Sequence, residues 1–266
     1  MSSKLSYLLV LFALAGAVPL AATAAGPASK SKEPANSVGL FEGMDAGNIE
    51  VKIIPKDDKE GMITIKNKTD KPLTIKLPEA FAGVPVLAQG LLGGGNAGGG
   101  NNNNNGGGNQ GVGGGMMGGM GGGGMMGGGG FFNVEADKVA KVKVVLVCLD
   151  HGKNDPSPHV PYKLVPIESY AKSNEVTEVV KMLARGELDQ HSAQAAAWHL
   201  QNGLTWEELV KKIGVKHLNG SIEPYFTGIH LQRALAATKV AAQRAEKASQ
   251  EKAPVKSASE SIAGQD

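Results

Sequence analysis

Residues 141–149 read KVKVVLVCL. In an extended chain Val142, Val144, Leu146 and Cys148 fall on one face, and Val145, Val147 and Leu149 on the other. A strand that is apolar on both faces towards its end needs cover on both sides, so this one belongs at the centre of a sheet with a further layer packed on it. Asp150-His151-Gly152 ends it. Upstream, Ile49, Val51 and Ile53 alternate with polar residues, as do Ile63 and Ile65, then Leu73, Ile75 and Leu77. Turn-forming clusters separate them at Lys56–Gly61 and Asn67–Pro72. Tyr162–Ile167 reads as a last strand. Short strands at this spacing predict an antiparallel β-sandwich over residues 48–168.

Two features interrupt or extend that module. From residue 90 to 130, 24 of 41 residues are Gly, with Asn101–Asn105 and five Met among the rest. So little apolar area cannot offset the chain entropy of ordering, which predicts a disordered insertion between two strands. After residue 168 the period changes. Val176, Val179, Val180 and Leu183 have helical spacing and stop at Gly186. A second helix is expected over about 190–201. Thr205 with Glu208 forms a capping box for a third, whose apolar stripe is Trp206, Leu209, Val210 and Ile213. A fourth is expected over about 225–245. The expected class is therefore α+β: a sandwich with a long insertion, a helical module over 169–247, and a disordered tail over 248–266. The passage Ile63–Leu77, ITIKNKTDKPLTIKL, resembles a strand–turn–strand element of extracellular immunoglobulin-like modules.

The N-terminus carries an address. Lys4 precedes the apolar run Tyr7–Val18, Pro19 breaks it, and Ala22-Thr23-Ala24 offers small residues for cleavage. That order predicts a signal peptide over 1–24, a flexible lead-in over 25–47, and a secreted or periplasmic mature protein with no membrane span. The 27 basic and 25 acidic residues nearly balance, which gives no electrostatic footing for nucleic acid. One cysteine excludes an internal disulfide framework. Gly93, Gly95 and Gly98 follow no strand–helix unit and precede no Lys, so they form no phosphate cradle.

The candidate chemistry centres on Cys148. Ala193-Gln194-Ala195-Ala196-Ala197-Trp198, together with Val147-Cys148-Leu149-Asp150, resembles the two motifs of bacterial thioester domains of surface adhesins. That resemblance implies a Cys148 thiol joined to the Gln194 side chain, with Trp198 packed beside them, and an acyl group passed to an amine on a partner surface. The chain departs from the family pattern at Ala193, where the motif has Thr. The same stretch is also good helix-forming sequence with one buried Trp. Cys148 with a histidine among His151, His159, His191 and His199 would suit a cysteine hydrolase. Cys148 and His151 with a later histidine such as His159 would suit zinc. Met116, Met117, Met120, Met125 and Met126 could offer thioethers to Cu(I). No spacing singles out a catalytic residue, a cofactor or a metal set. The leading expectation is an exported, non-enzymatic protein that binds an extracellular or envelope protein or surface. A covalent thioester module is the alternative, and a cysteine hydrolase the third.

Overall fold

In the computed structural model, residues 37–86, 108–116 and 130–252 are described. Six strands close into an antiparallel barrel in the order β2-β3-β8-β6-β5-β9. These are β2 (Ile49–Pro55), β3 (Glu60–Asn67), β5 (Phe81–Pro85), β6 (Val112–Met116), β8 (Val139–Cys148) and β9 (Tyr162–Pro166). The expected sandwich is thus corrected to a barrel, because β9 pairs with β5 along five residues and returns to β2 at Ile53↔Tyr162. Full closure removes the sheet edges that a sandwich would leave open. Ile53, Ile63, Ile65, Phe81, Leu146 and Leu164 fill the interior, each contributing about 1.5–3 kcal/mol by leaving water.

A small side sheet packs into the same core. It contains β1 (Ser37–Gly39), β4 (Leu73–Lys76) and β7 (Phe131–Val134), in the order β1-β4-β7. The short α1 (Leu40–Asp45) buries Leu40 beside it. Residues 37–47, expected as flexible lead-in, are therefore folded. The strands on either side of Asn67–Pro72 belong to different sheets, β3 to the barrel and β4 to the side sheet. Asn67 itself is buried, and its amide nitrogen donates to Lys71 O (2.8 Å) and Val134 O (3.0 Å).

The largest correction falls within the glycine-rich segment. Its middle, Val112–Met116, is the barrel strand between β8 and β5. Glycine is what lets it fit there: a Cβ on Gly115 would stand 2.2 Å from Ala184 Cβ, and one on Gly114 would stand 2.6 Å from Leu146 Cδ2. The strand is built by the space its neighbours leave, which its own side chains do not signal. Residues 108–111, which lead into that strand, are described too; the expectation of disorder over 90–107 and 117–129, like the signal peptide at 1–24 and the Met cluster beyond Met116, lies outside the described residues.

Helices cover β8 and β6 from outside. They are α2 (Asn174–Ala184) and α3 (Gln190–Asn202), with α5 (Gly228–Lys252) packed across both. Val176, Val179, Val180 and Leu183 are buried on α2, as the spacing predicts. α3 starts at Asp189, whose carboxylate accepts from Ser192 N (3.0 Å), and ends at Gly203 with φ +74°. It lies between the barrel and α5, which is why Ala193 and Ala195–Ala197 are all buried. Ala234, Ala237 and Ala241 give α5 a matching small-residue stripe, and α5 continues through Lys252, past the expected end at 247. The capping box forms, but α4 (Trp206–Val210) is short. Ile213 and Val210 are exposed rather than part of a buried stripe. An exposed hairpin follows, β10 (Ile213–Lys216) and β11 (Ile222–Pro224), turned at Asn219-Gly220. No helix among the described residues is long and apolar enough to cross a membrane.

Candidate functional site

The pairing of β3 with β8 stops at Glu60↔Val145, after which Leu146 N donates to Lys59 O (2.7 Å). On its other side β8 remains paired, Val112↔Cys148. The open side is completed by two side chains of α3. Gln190 Nε2 donates to Leu146 O (3.1 Å). Gln194 Oε1 accepts from Cys148 N (2.8 Å), and its Nε2 donates to Cys148 O (2.9 Å). One helical turn advances about 5.4 Å and two strand residues about 6.6–6.8 Å. Glutamines four apart on a helix therefore reach alternate residues of a strand. α3 behaves here as a substitute edge strand. Cys148 is 1 % exposed and Gln194 0 %, so the site of contact is dry.

Burial, with the carboxylates of Asp58, Asp155 and Asp150 adding to it, pushes the Cys148 thiol well above its ordinary pKa. The thiol is held protonated. That is the reverse of the electropositive setting that activates a hydrolase nucleophile.

Above Cys148 a recess of about 360 Å³ opens at the barrel mouth, walled by Asp58, Gln110, Trp198, Lys212 and Tyr225. The Trp198 ring packs edge-on to His151, with centres 4.8 Å apart, and against Tyr225 at 5.6 Å. Tyr225 OH donates to Asp58 Oδ2 (2.9 Å); burial, reinforced by that carboxylate, raises its phenol pKa. Below the rim, Asp150 Oδ2 accepts from Gly111 N (2.8 Å) and from Tyr170 OH. These bonds tie the loop after β8 to the start of the glycine strand.

Of the residues named from sequence, Cys148, Gln194 and Trp198 are gathered at this place. His151 stands on the recess wall, with Nε2 3.1 Å from Lys212 Nζ. Burial and the Lys212 charge both lower its pKa. His159 is exposed, its backbone N–H donating to Ser157 Oγ (3.3 Å). His199 stacks on Trp206 with ring centres 4.3 Å apart, and His191 on His230 at 4.9 Å. Among the described residues no group of three or more His, Cys, Asp or Glu side chains could hold a metal ion. Met116 ends β6, and Met120 lies outside the described residues. Asp58, Gln110, Gln190, Lys212 and Tyr225 were not singled out from sequence. They come from separate elements, and no local spacing connects them. For Gln190, the signal was its place four residues before Gln194.

Comparisons of the chain with family models, with curated proteins and with solved structures find no match.

Proposed function

We propose that this protein is an exported binding protein that captures its partner covalently, through an internal thioester between the Cys148 thiol and the Gln194 side chain. The observation that carries the reading is the Gln194 carboxamide lying against Cys148 with both polar atoms within 2.9 Å of that residue's backbone, in a fully buried setting. Export rests on the order of charge, apolar run and small residues at 1–24.

The chemistry balances without a further reagent. A bond forms between Cys148 Sγ and Gln194 Cδ, the bond from Cδ to Nε2 breaks, and the thiol proton leaves with that nitrogen as ammonia. The thiol itself supplies the proton the departing nitrogen needs. The thioester is an activated acyl group, shielded from water by the same burial. An incoming amine then bonds to Cδ, the bond to Sγ breaks, and an amine proton restores the thiol. The recess that Cys148 lines supplies the approach.

A second reading is favoured by the same two hydrogen bonds: a carboxamide that completes the edge of β8 needs no covalent step, and the recess then binds its ligand reversibly. Labelling separates the two. In strong denaturant a free Cys148 reacts with a thiol reagent at once. A thioester leaves it unlabelled until methylamine releases it, and Gln194 then carries the N-methyl amide. Immediate labelling, with no methylamine adduct at Gln194, rejects the covalent reading and leaves the reversible one.

A further inference from the structure

The recess already holds an ammonium group. Lys212 Nζ lies 4.7 Å from the ring centre of Trp198 and 5.6 Å from that of Tyr225, within the range over which a cation is attracted to an aromatic face. Two buried atoms of residues in its wall have no hydrogen-bond partner among the described residues, Trp198 Nε1 and Gln110 Oε1. Gln110 Nε2 donates to Asp155 Oδ1 (3.1 Å), which fixes the amide's orientation and leaves its carbonyl oxygen as the unused acceptor. Aromatic faces, carboxylates and a spare acceptor together suit an alkylammonium ion.

The occupant also has somewhere to go. A second recess, of about 310 Å³, shares Lys212 and His151 with the first as its wall. It is lined by Glu208 and by Asn202, whose Oδ1 is buried with no partner among the described residues. Both can accept from an ammonium group. Desolvation lowers the Lys212 pKa, and the Asp155 carboxylate opposes that shift.

We infer that the first recess is a binding site for a primary alkylammonium group, and that Lys212 is its built-in occupant, which vacates it by swinging towards Asn202 and Glu208. On the amine-capture reading this side chain would decide which amines reach Cys148, and that consequence alone rests on that reading. The binding site itself does not need the thioester.

The test uses the full mature chain with Cys148→Ala, in which no thioester can form. Calorimetric titration compares n-butylammonium, a free amine, with the N-acetyl, N-methylamide derivative of lysine, a chain-borne one. Adding Lys212→Met should tighten binding of at least one of them tenfold or more. An equal gain for both assigns the site to the alkylammonium alone, and a gain confined to the lysine derivative assigns it to lysine in a polypeptide. Asn202→Leu, with Lys212 retained, should weaken binding several-fold by removing the second seat. Binding by Lys212→Met no tighter than by its parent, or no binding by any variant of unchanged thermal midpoint, overturns the proposal. Methylamine inertness of the wild type alongside tightened binding here would remove the thioester and keep the site.

Discussion

Replacing Gln194 with Leu keeps the volume of a fully buried side chain and deletes its two hydrogen bonds to Cys148. The N–H and C=O of Cys148 on that side of β8 would then be buried with no strand, water or side chain to meet them. An orphaned buried group costs about 1–3 kcal/mol, so the pair costs about 2–6 kcal/mol. The amide's own burial penalty, about 1–2 kcal/mol, is relieved by the change, which leaves a net loss of about 1–4 kcal/mol. Equilibrium urea unfolding, followed by tryptophan fluorescence with Cys148→Ala in both proteins, measures the difference without any contribution from covalent chemistry. Gln190→Leu is the internal comparison. It removes a bond to Leu146 O and a longer one to Asp58 O (3.4 Å) from a half-buried side chain, so its cost should be about 0.5–1.5 kcal/mol. A loss below about 0.5 kcal/mol for Gln194→Leu would refute the substitute-strand argument, since two buried groups cannot be orphaned so cheaply.

Gly115→Ala should lower stability by about 1–3 kcal/mol or more, because its Cβ would meet Ala184 Cβ at 2.2 Å and Glu79 O at 2.6 Å; an unchanged thermal midpoint would contradict the packing of α2 on the glycine strand. Trp206 is half-buried and stacks on His199, so Trp206→Ala should cost about 1.5–3 kcal/mol in urea unfolding, less than full burial of a Trp would imply. His151 and His191 both have pKa values lowered chiefly by desolvation. The unfolded chain binds protons on them more readily, so their contribution to stability is complete above about pH 6.5 and is lost as pH falls through that value. Their imidazole signals should titrate with midpoints below about 6.5 in the folded protein; a midpoint at that value would remove the effect, and one above it would reverse the sign.

How much of this was legible in the sequence depends on where each element's information sits. The central strand β8 was readable because its own side chains alternate and then turn apolar on both faces. α2, α3 and the α4 cap were readable for the same local reason. The barrel strand Val112–Met116 was not, since three of its five residues are Gly and its place is dictated by Ala184, Leu146 and Phe81. Closure through β9 was equally hidden, because it depends on pairing between distant residues. The β10–β11 hairpin was obscured by helical spacing that runs from Trp206 through Ile213, although Asn219-Gly220 between two apolar stretches carried a turn signal. At the site, the paired motifs pointed to Cys148, Gln194 and Trp198. The recess beside them is assembled from loops and elements that only the fold brings together.

The most direct measurement is the intact mass of the mature protein, taken under denaturing conditions and compared with that of its Cys148→Ala variant. With the thioester in place, the wild-type chain is lighter than its mature sequence by one ammonia, while the variant has the full mass its sequence requires. A wild-type chain at full mass, with one titratable thiol, would contradict the covalent claim and leave Gln194 as the side chain that completes the edge of β8.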